Sequence, residues 1–138
     1  MENFKHRTTI QIRFKDVDKM GHVNNANHAT YFELARMKYF DDVVGTKIDW
    51  TKQGVILARV EIDYKIPILL EDKITVLSKC SRLGTKSFDI THSIIKTENG
   101  KEIETAIGKS VVVCFDYEKN ETINIPDEWK KKALDFEK

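Results

Sequence analysis

The sequence lacks the features that mark several large classes of protein. It has two cysteines and two prolines in 138 residues. Cys80 and Cys114 stand in apolar runs with no partner at metal-ligand spacing, so we expect two buried, reduced thiols. The longest apolar stretch, residues 111–115, is far too short to span a bilayer, and no apolar segment of a signal peptide follows the first residues. These absences predict a cytoplasmic protein that makes no membrane contact.

An excess of charge of one sign is also missing. The chain carries 23 basic and 22 acidic side chains, a net charge of +1. Nucleic-acid-binding proteins need a strong positive field, so no nucleic-acid partner is expected. Hydrophobic residues make up 41% and charged residues 33%, as is typical of folded proteins, and the length fits one domain over residues 1–138.

Several standard catalytic and metal-binding motifs are missing as well. The six glycines form neither a GxGxxG motif nor a P-loop, and there is no GxSxG or HExxH. The four histidines share no metal-ligand spacing. Asp16-Val-Asp18 with Gly21 is similar to the start of a calcium loop, but Met20 stands at the fifth position, which needs an oxygen ligand, and Asn27 replaces the Glu of the twelfth position. We therefore expect no metal and no cofactor.

The first half of the chain predicts a strand followed by a long helix. Residues 8–15 alternate apolar and polar side chains, which predicts a half-buried strand with Phe14 on its apolar face. A helix is predicted over 27–44, with Asn27 as its N-cap and Gly45 ending it. Its apolar residues cover more than one stripe, so we expect it to be buried on most sides.

The second half predicts an antiparallel sheet. The predicted strands are 55–64, 73–81, 86–97 and 102–116, followed by a short edge strand at 122–125 and a polar helix at 128–136. Asn99-Gly100 is a strong hairpin signal between two of these strands. This order predicts an α+β fold in which five or six antiparallel strands wrap one long helix. The uncovered sheet edges predict an oligomer.

A dense polar cluster lies just before the long helix. Two carboxylates, an imidazole and three amides fall between Asp16 and Asn27. Some of these side chains are expected to cap the N–H groups of the helix start. Capping needs only one or two of them, so the residues alone leave capping and chemistry as equal alternatives.

The same stretch carries a resemblance to a known family. It is similar to the hotdog-fold acyl-CoA thioesterases of the 4-hydroxybenzoyl-CoA thioesterase type. Their loop reads Asp-x-Asp-x-x-Gly-His-Val-Asn-Asn, followed by a Tyr and a Glu-x-x-Arg on the helix. The matching residues here are Asp16, Asp18, Gly21, His22, Val23, Asn24, Asn25, Tyr31, Glu33 and Arg36. The resemblance implies a hotdog fold and hydrolysis of an acyl-CoA thioester.

The resemblance also implies roles for the loop residues. Asp18 is the expected catalytic carboxylate, acting as nucleophile or as general base toward water. The backbone N–H of Asn25, at the helix start, is the expected donor to the carbonyl oxygen. Gly21 allows a tight turn and close approach of substrate. His22 and Asn24 either support this site or only tie the loop in place.

Further residues are candidates for contacts with the substrate. Tyr31, Glu33 and Arg59 are candidates for binding the substrate. Their alternatives are a core position for Tyr31, a pair with Arg36 for Glu33 and a pair with Glu61 for Arg59. Candidates for the CoA phosphates are Arg82, Lys86 and Ser87 around a Gly-containing turn, which is otherwise an ordinary charged turn. Asp16 is expected to fix the loop.

Other functions fit the sequence less well. A hotdog dehydratase is disfavoured because its catalytic histidine typically precedes Pro-Gly, a dipeptide missing here. An acyl-carrier-protein thioesterase and a non-catalytic acyl-CoA-binding protein stay open as alternatives. The family implies a homodimer or homotetramer with the active site at the subunit interface. The acyl chain is not predicted.

Overall fold

The computed structural model describes residues 3–138. A short strand and a 3-10 turn precede the long helix, and five strands and a second helix follow it. The strands are β1 (His6–Ile10), β2 (Gln53–Tyr64), β3 (Ile74–Leu83), β4 (Ser87–Glu98), β5 (Lys101–Asp116) and β6 (Glu121–Thr122). The helices are α1 (Ala26–Tyr39), which continues as a π-helical turn (Phe40–Val44), and α2 (Asp127–Glu137).

The strands form one antiparallel sheet beside α1. Its order is β1-β3-β4-β5-β2, and β6 pairs with β5. Asn99 and Gly100 have φ angles of 53° and 75°, the left-handed values of a tight hairpin turn between β4 and β5. The predicted α+β hotdog architecture, with its hairpin and C-terminal helix, is confirmed.

The first strand is shorter than predicted, and Phe14 is not on a buried face. β1 ends at Ile10, a 3-10 turn occupies Phe14–Asp16, and Phe14 is 84% exposed. The Asp16 carboxylate accepts a hydrogen bond from the Arg13 backbone N–H at 3.1 Å. This contact folds the chain back on itself, which ends the strand alternation.

The long helix differs from the prediction at its start and on its outer face. It begins at Ala26, and Asn27 is inside it rather than at the N-cap. Leu34 and Met37 are 52% and 41% exposed, so a single chain buries only one face of α1 and the expectation of burial on most sides was wrong. The end at Gly45, where φ is 116°, is as predicted.

Two hydrophobic clusters lie along the buried face of α1. The first surrounds Tyr31, Phe32 and Ala35 near the start of α1. The second surrounds its end and includes Phe40 and Trp129, so it joins α1 to α2. The two clusters hold α1 against the sheet along its whole length.

Both cysteines are free, although only one is buried as expected. Cys114 is buried, whereas Cys80 is half-buried beside α2. Burial raises the pKa of each thiol to about 11, so both stay protonated at neutral pH. In the described part of the chain, neither helix is long and apolar enough to cross a bilayer.

Candidate active site

Asp16 holds the loop that precedes α1. Its buried carboxylate accepts hydrogen bonds from the backbone and guanidinium of Arg13 and from the Tyr31 hydroxyl at 2.9 Å. Its carbonyl accepts from the Asn24 N–H at 2.8 Å and the Asn27 side chain at 2.9 Å. Burial favours a raised pKa for Asp16, but the hydrogen bonds from Arg13 and Tyr31 outweigh it, so the pKa is lowered. Asp16 therefore fixes the loop, as expected.

Tyr31 belongs to the core rather than to an open site. Its ring is buried in the cluster around the start of α1, and its hydroxyl is committed to Asp16. Burial and then the Asp16 carboxylate raise its pKa. The predicted contact of Tyr31 with substrate has no support in this geometry, because the side chain is enclosed.

Asp18 has one carboxylate oxygen held by the loop and one left over. Oδ1 accepts from the N–H groups of Met20 at 2.9 Å and His22 at 3.3 Å. Within residues 3–138, Oδ2 has no hydrogen-bond donor. The side chain is exposed, and Gly21 takes the left-handed φ of 81° that closes the turn. The carboxylate is thus oriented and still available for chemistry.

The first N–H groups of α1 are satisfied unequally. The Ala26 N–H donates to the Asn24 side chain at 2.9 Å, and the Asn27 N–H donates to the Asn24 carbonyl at 2.9 Å. The His28 N–H donates to the Asn25 carbonyl at 3.3 Å. For the Asn25 N–H, the described residues offer no acceptor. One donor at the positive end of the helix dipole is therefore free to bind a negative oxygen.

These groups share one open pocket between the loop, the start of α1 and the end of β2. The pocket is lined by Asp18, His22, Val23, Asn24, Asn25, His28, Tyr64, Lys65, Ile66, Pro67 and Ile68. Its polar lining includes a carboxylate, two amides and two imidazoles, whereas residues 66–68 form an apolar wall. Four of the residues predicted for catalysis, Asp18, His22, Asn24 and Asn25, meet here. Asn24 has the capping role that was one of its two interpretations.

Two further pocket residues were missed from the sequence. His28 is 3% exposed and packs edge-on against the Tyr64 ring, with centroids 4.8 Å apart. Burial lowers the pKa of His28 and outweighs the nearby carbonyls of Asn24 and Asn25, so the ring is neutral at neutral pH. His28 follows Asn25 by one helical turn, a spacing that signals a shared face. Tyr64 comes from a distant strand and had no local signal.

Glu33 and Arg59 lie outside this pocket. Glu33 is exposed, and within residues 3–138 it forms no salt bridge with Arg36, whose buried guanidinium donates to the Ser110 hydroxyl at 3.0 Å. Arg59 is exposed on β2 and pairs with Glu61 at 3.1 Å, which was the alternative considered for it. The contacts of both residues with substrate stay predictions.

The predicted CoA-binding residues lie at the other end of α1. Arg82 bonds to Ser87 and Asp89, each at 2.9 Å, while Lys86 is exposed on the turn between β3 and β4. This turn adjoins the second hydrophobic cluster, which contains Phe88. The helix over 26–44 is about 28 Å long at 1.5 Å per residue, so one chain does not bring this turn to Asp18.

No group of three His, Cys, Asp or Glu side chains within residues 3–138 is arranged to hold a metal ion. Within this same range, the pocket contains a free carboxylate oxygen of Asp18 and the free backbone N–H of Asn25. An oriented carboxylate beside a free helix N-terminal donor suits attack on a carbonyl carbon with stabilisation of the resulting oxyanion.

Comparisons with known proteins agree with this chemistry. A thioesterase from Thermus thermophilus, crystallised with coenzyme A and zinc, is 33% identical with a TM-score of 0.84, over 99% of this chain and 97% of that one. The long-chain acyl-CoA thioesterase FadM of Escherichia coli K12 is 25% identical over 129 residues, which are 91% of this chain and 95% of FadM.

A mutant 4-hydroxybenzoyl-CoA thioesterase in complex with 4-hydroxybenzoyl-CoA shares the fold. It is 18% identical with a TM-score of 0.84, over 92% of this chain and 96% of that one. The family model of the thioesterase-like superfamily matches residues 12–133. The chain therefore belongs to the thioesterase-like superfamily.

Proposed function

We propose that this protein hydrolyses acyl-CoA thioesters to a free acid and CoA. One observation carries the proposal: Asp18 Oδ2 lacks a donor and the Asn25 N–H lacks an acceptor, in the same pocket and within the described residues. The similarity to FadM and to the Thermus enzyme that binds coenzyme A supports a CoA thioester as the substrate.

The Asn25 N–H acts on the thioester carbonyl. As the carbonyl carbon becomes tetrahedral, its oxygen gains negative charge, and a donor at a helix N-terminus stabilises that charge without having to reorganise. One such donor is typically worth about 3 kcal/mol in the transition state. The capped Ala26 and Asn27 N–H groups keep the backbone around Asn25 in place.

Asp18 supplies the attack by one of two routes. As nucleophile, it adds to the carbonyl, the carbon–sulfur bond breaks, CoA leaves as thiolate, and water then hydrolyses the mixed anhydride. As general base, it takes a proton from water while that water attacks, the tetrahedral intermediate expels the thiolate, and Asp18 then gives the proton to the thiolate. Both routes end with carboxylate, CoA and the starting enzyme, and both need only water as co-reactant. We accordingly propose that no cofactor takes part.

Thiol release from a panel of short, medium, long and aromatic acyl-CoAs tests the proposal. We expect turnover of at least one of them, and release from none would refute the enzyme function. A single turnover in ¹⁸O-water then separates the routes. Label in the Asp18 carboxylate would identify the covalent route, whereas label confined to the product acid would favour direct attack by water.

We further propose a homodimer or homotetramer, with the partner's β3–β4 turn contacting CoA. β2 is an edge strand that pairs only with β5 among the described strands. It exposes Ile56, Leu57 and Val60, an apolar surface that suits a second copy of the chain. Val60→Glu should reduce the mass measured by light scattering to that of a monomer, and Val60→Thr should not. A monomeric wild type would contradict this proposal.

Lys86→Ala tests the CoA contact. We expect a several-fold higher KM for acyl-CoA, and no change for an acyl thioester of N-acetylcysteamine, which lacks the phosphates. Lys101→Ala, in the exposed hairpin, is the matched control. An unchanged KM for both substrates would remove Lys86 from the CoA site.

We also propose that the protein is located in the cytoplasm. Both cysteines are free, and thiols stay reduced in that compartment.

A further inference from the structure

Tyr64 makes a direct bridge from the sheet to the start of α1. It is the last residue of β2, and its hydroxyl donates to the Asn25 carbonyl at 3.1 Å across 39 residues of sequence. The same carbonyl also accepts from the His28 N–H of its own helix, at the longer distance of 3.3 Å. Asn25 is thus held from two directions, by its own helix and by the sheet.

The position of the Tyr64 ring is set by its neighbours. The buried imidazole of His28 packs edge-on against it, with an interplanar angle of 78°. On the sheet side, the N–H groups of Lys65 and Ile66 both donate to the Thr105 carbonyl, at 2.9 and 3.0 Å. These contacts fix both the backbone that follows Tyr64 and its ring, so the hydroxyl is directed at the Asn25 carbonyl.

We propose that Tyr64 is a positioning residue that fixes Asn25 so that its N–H stays directed at the reacting carbonyl. The inference rests on the proposed function, because it assigns Tyr64 a task only if Asn25 binds the oxyanion. A change in the backbone angles of Asn25 would turn its N–H away from the thioester carbonyl. The hydrogen bond from the Tyr64 hydroxyl to the Asn25 carbonyl opposes that change. Small misplacements of catalytic groups lower the rate more than they lower substrate affinity.

The chain offers a matched control for this hydrogen bond. Tyr117 is also a half-exposed tyrosine near β2, and its hydroxyl donates to the Val55 carbonyl at 3.3 Å, near the start of the strand. Tyr64→Phe and Tyr117→Phe each remove one hydroxyl and keep the ring. They differ in whether the lost bond reaches Asn25.

Steady-state kinetics of the two variants, in the full chain, test the proposal. For Tyr64→Phe we expect kcat to fall about tenfold with KM changed less than twofold, the size of one lost hydrogen bond. For Tyr117→Phe we expect wild-type kcat and KM. A kcat for Tyr64→Phe equal to that of the wild type, or an equal fall in both variants, would overturn the positioning role.

The amide resonance of Asn25 separates this proposal from the proposed function. In ¹⁵N-labelled protein without substrate, we expect this resonance to shift in Tyr64→Phe and to keep its position in Tyr117→Phe. If it does not move in Tyr64→Phe, Tyr64 does not position Asn25, whatever the activity. If it moves while the wild type hydrolyses no acyl-CoA, the contact stands, and both the proposed function and the catalytic task of Tyr64 fail.

Discussion

The two ends of α1 are built in opposite ways. At the C-terminal end, the Phe40 ring packs against Trp50, Phe88 and Trp129 at centroid distances of 5.7, 5.6 and 6.3 Å. The Lys132 ammonium donates to the Val44 carbonyl at 2.9 Å and so satisfies an orphan acceptor of the last turn. At the N-terminal end, an open polar pocket replaces the aromatic packing, and among residues 3–138 the Asn25 N–H has no acceptor.

The difference shows which end is built for stability and which for chemistry. Aromatic packing and a capped carbonyl lower the free energy of the folded state. A donor without an acceptor does not, but it is preorganised for an oxyanion that forms only during a reaction. Changes at the open end should therefore lower activity, and changes at the aromatic end should lower stability.

Asp18→Asn should abolish most activity without unfolding the protein. Asparagine retains an oxygen that accepts from the N–H groups of Met20 and His22, so the loop keeps its shape. It is neither a nucleophile nor a base, and we expect kcat to fall about 10²–10⁴-fold. Thiol-release kinetics and thermal unfolding measure the two effects. A variant with most of its activity would show that the catalytic group is elsewhere.

Trp129→Ala should have the reverse effect at the aromatic end. Trp129, on α2, is buried against the end of α1, and removal of a buried aromatic side chain costs about 3–5 kcal/mol in the free energy of unfolding. Urea unfolding measures this loss. Below the transition, kcat per folded molecule should stay within about twofold of the wild type. A fall in kcat as large as that of Asp18→Asn would mean that the two ends are not separate.

His92, on β4, packs against the middle of α1. Its ring stacks on Phe32 with centroids 4.5 Å apart, and its Nδ1 is hydrogen-bonded to the Ser78 hydroxyl at 2.9 Å. Burial, aided by the charge of Arg36, lowers the pKa of His92 to about 3. The unfolded chain binds this proton near pH 6.5, so the folded state loses stability as the pH falls from about 6.5 toward 3, by at most about 1.4 kcal/mol per pH unit.

His92→Gln should flatten this dependence. Glutamine still bonds to the buried hydroxyls but does not titrate. Urea unfolding at about pH 6.5 and 5 isolates histidines, since carboxylates titrate lower. His28, whose pKa burial also lowers, contributes with the same sign in both proteins. An equally steep dependence in the variant would show that His92 is not the group responsible.

Gly21→Ala and Gly100→Ala should have the smallest effects and compare two glycines of similar backbone conformation. Both glycines have left-handed φ angles, 81° and 75°, and an added Cβ meets no atom within 4 Å at either position. Each substitution should cost about 1–2 kcal/mol of backbone strain. Only Gly21→Ala should lower kcat, because Gly21 lies in the loop that orients Asp18. Equal kcat values for the two variants would show that the conformation of the Gly21 loop does not matter for catalysis.

The sequence predicted most of the fold, and four of its candidate site residues lie in one pocket; the errors fall where a position depends on contacts that local sequence does not display. Local periodicity and the Asn99-Gly100 signal sufficed for the four long strands and for the existence of both helices. Phe14 and Asn27 were misplaced because their positions depend on the contacts that Asp16 makes with Arg13 and Asn27. Tyr64 was missed because the pairing of β2 with β5 brings it to the pocket, and one sequence does not display that pairing.

The central claim is that the open end of α1 binds the thioester through the Asn25 N–H. The most direct test is a titration of ¹⁵N-labelled Asp18→Asn protein, which turns over too slowly to consume the ligand, with an acyl-CoA that the wild type hydrolyses. We predict that the Asn25 amide proton moves downfield and saturates with the ligand, as expected for a new hydrogen bond. Saturable shifts elsewhere, with the Asn25 amide unmoved, would contradict the account.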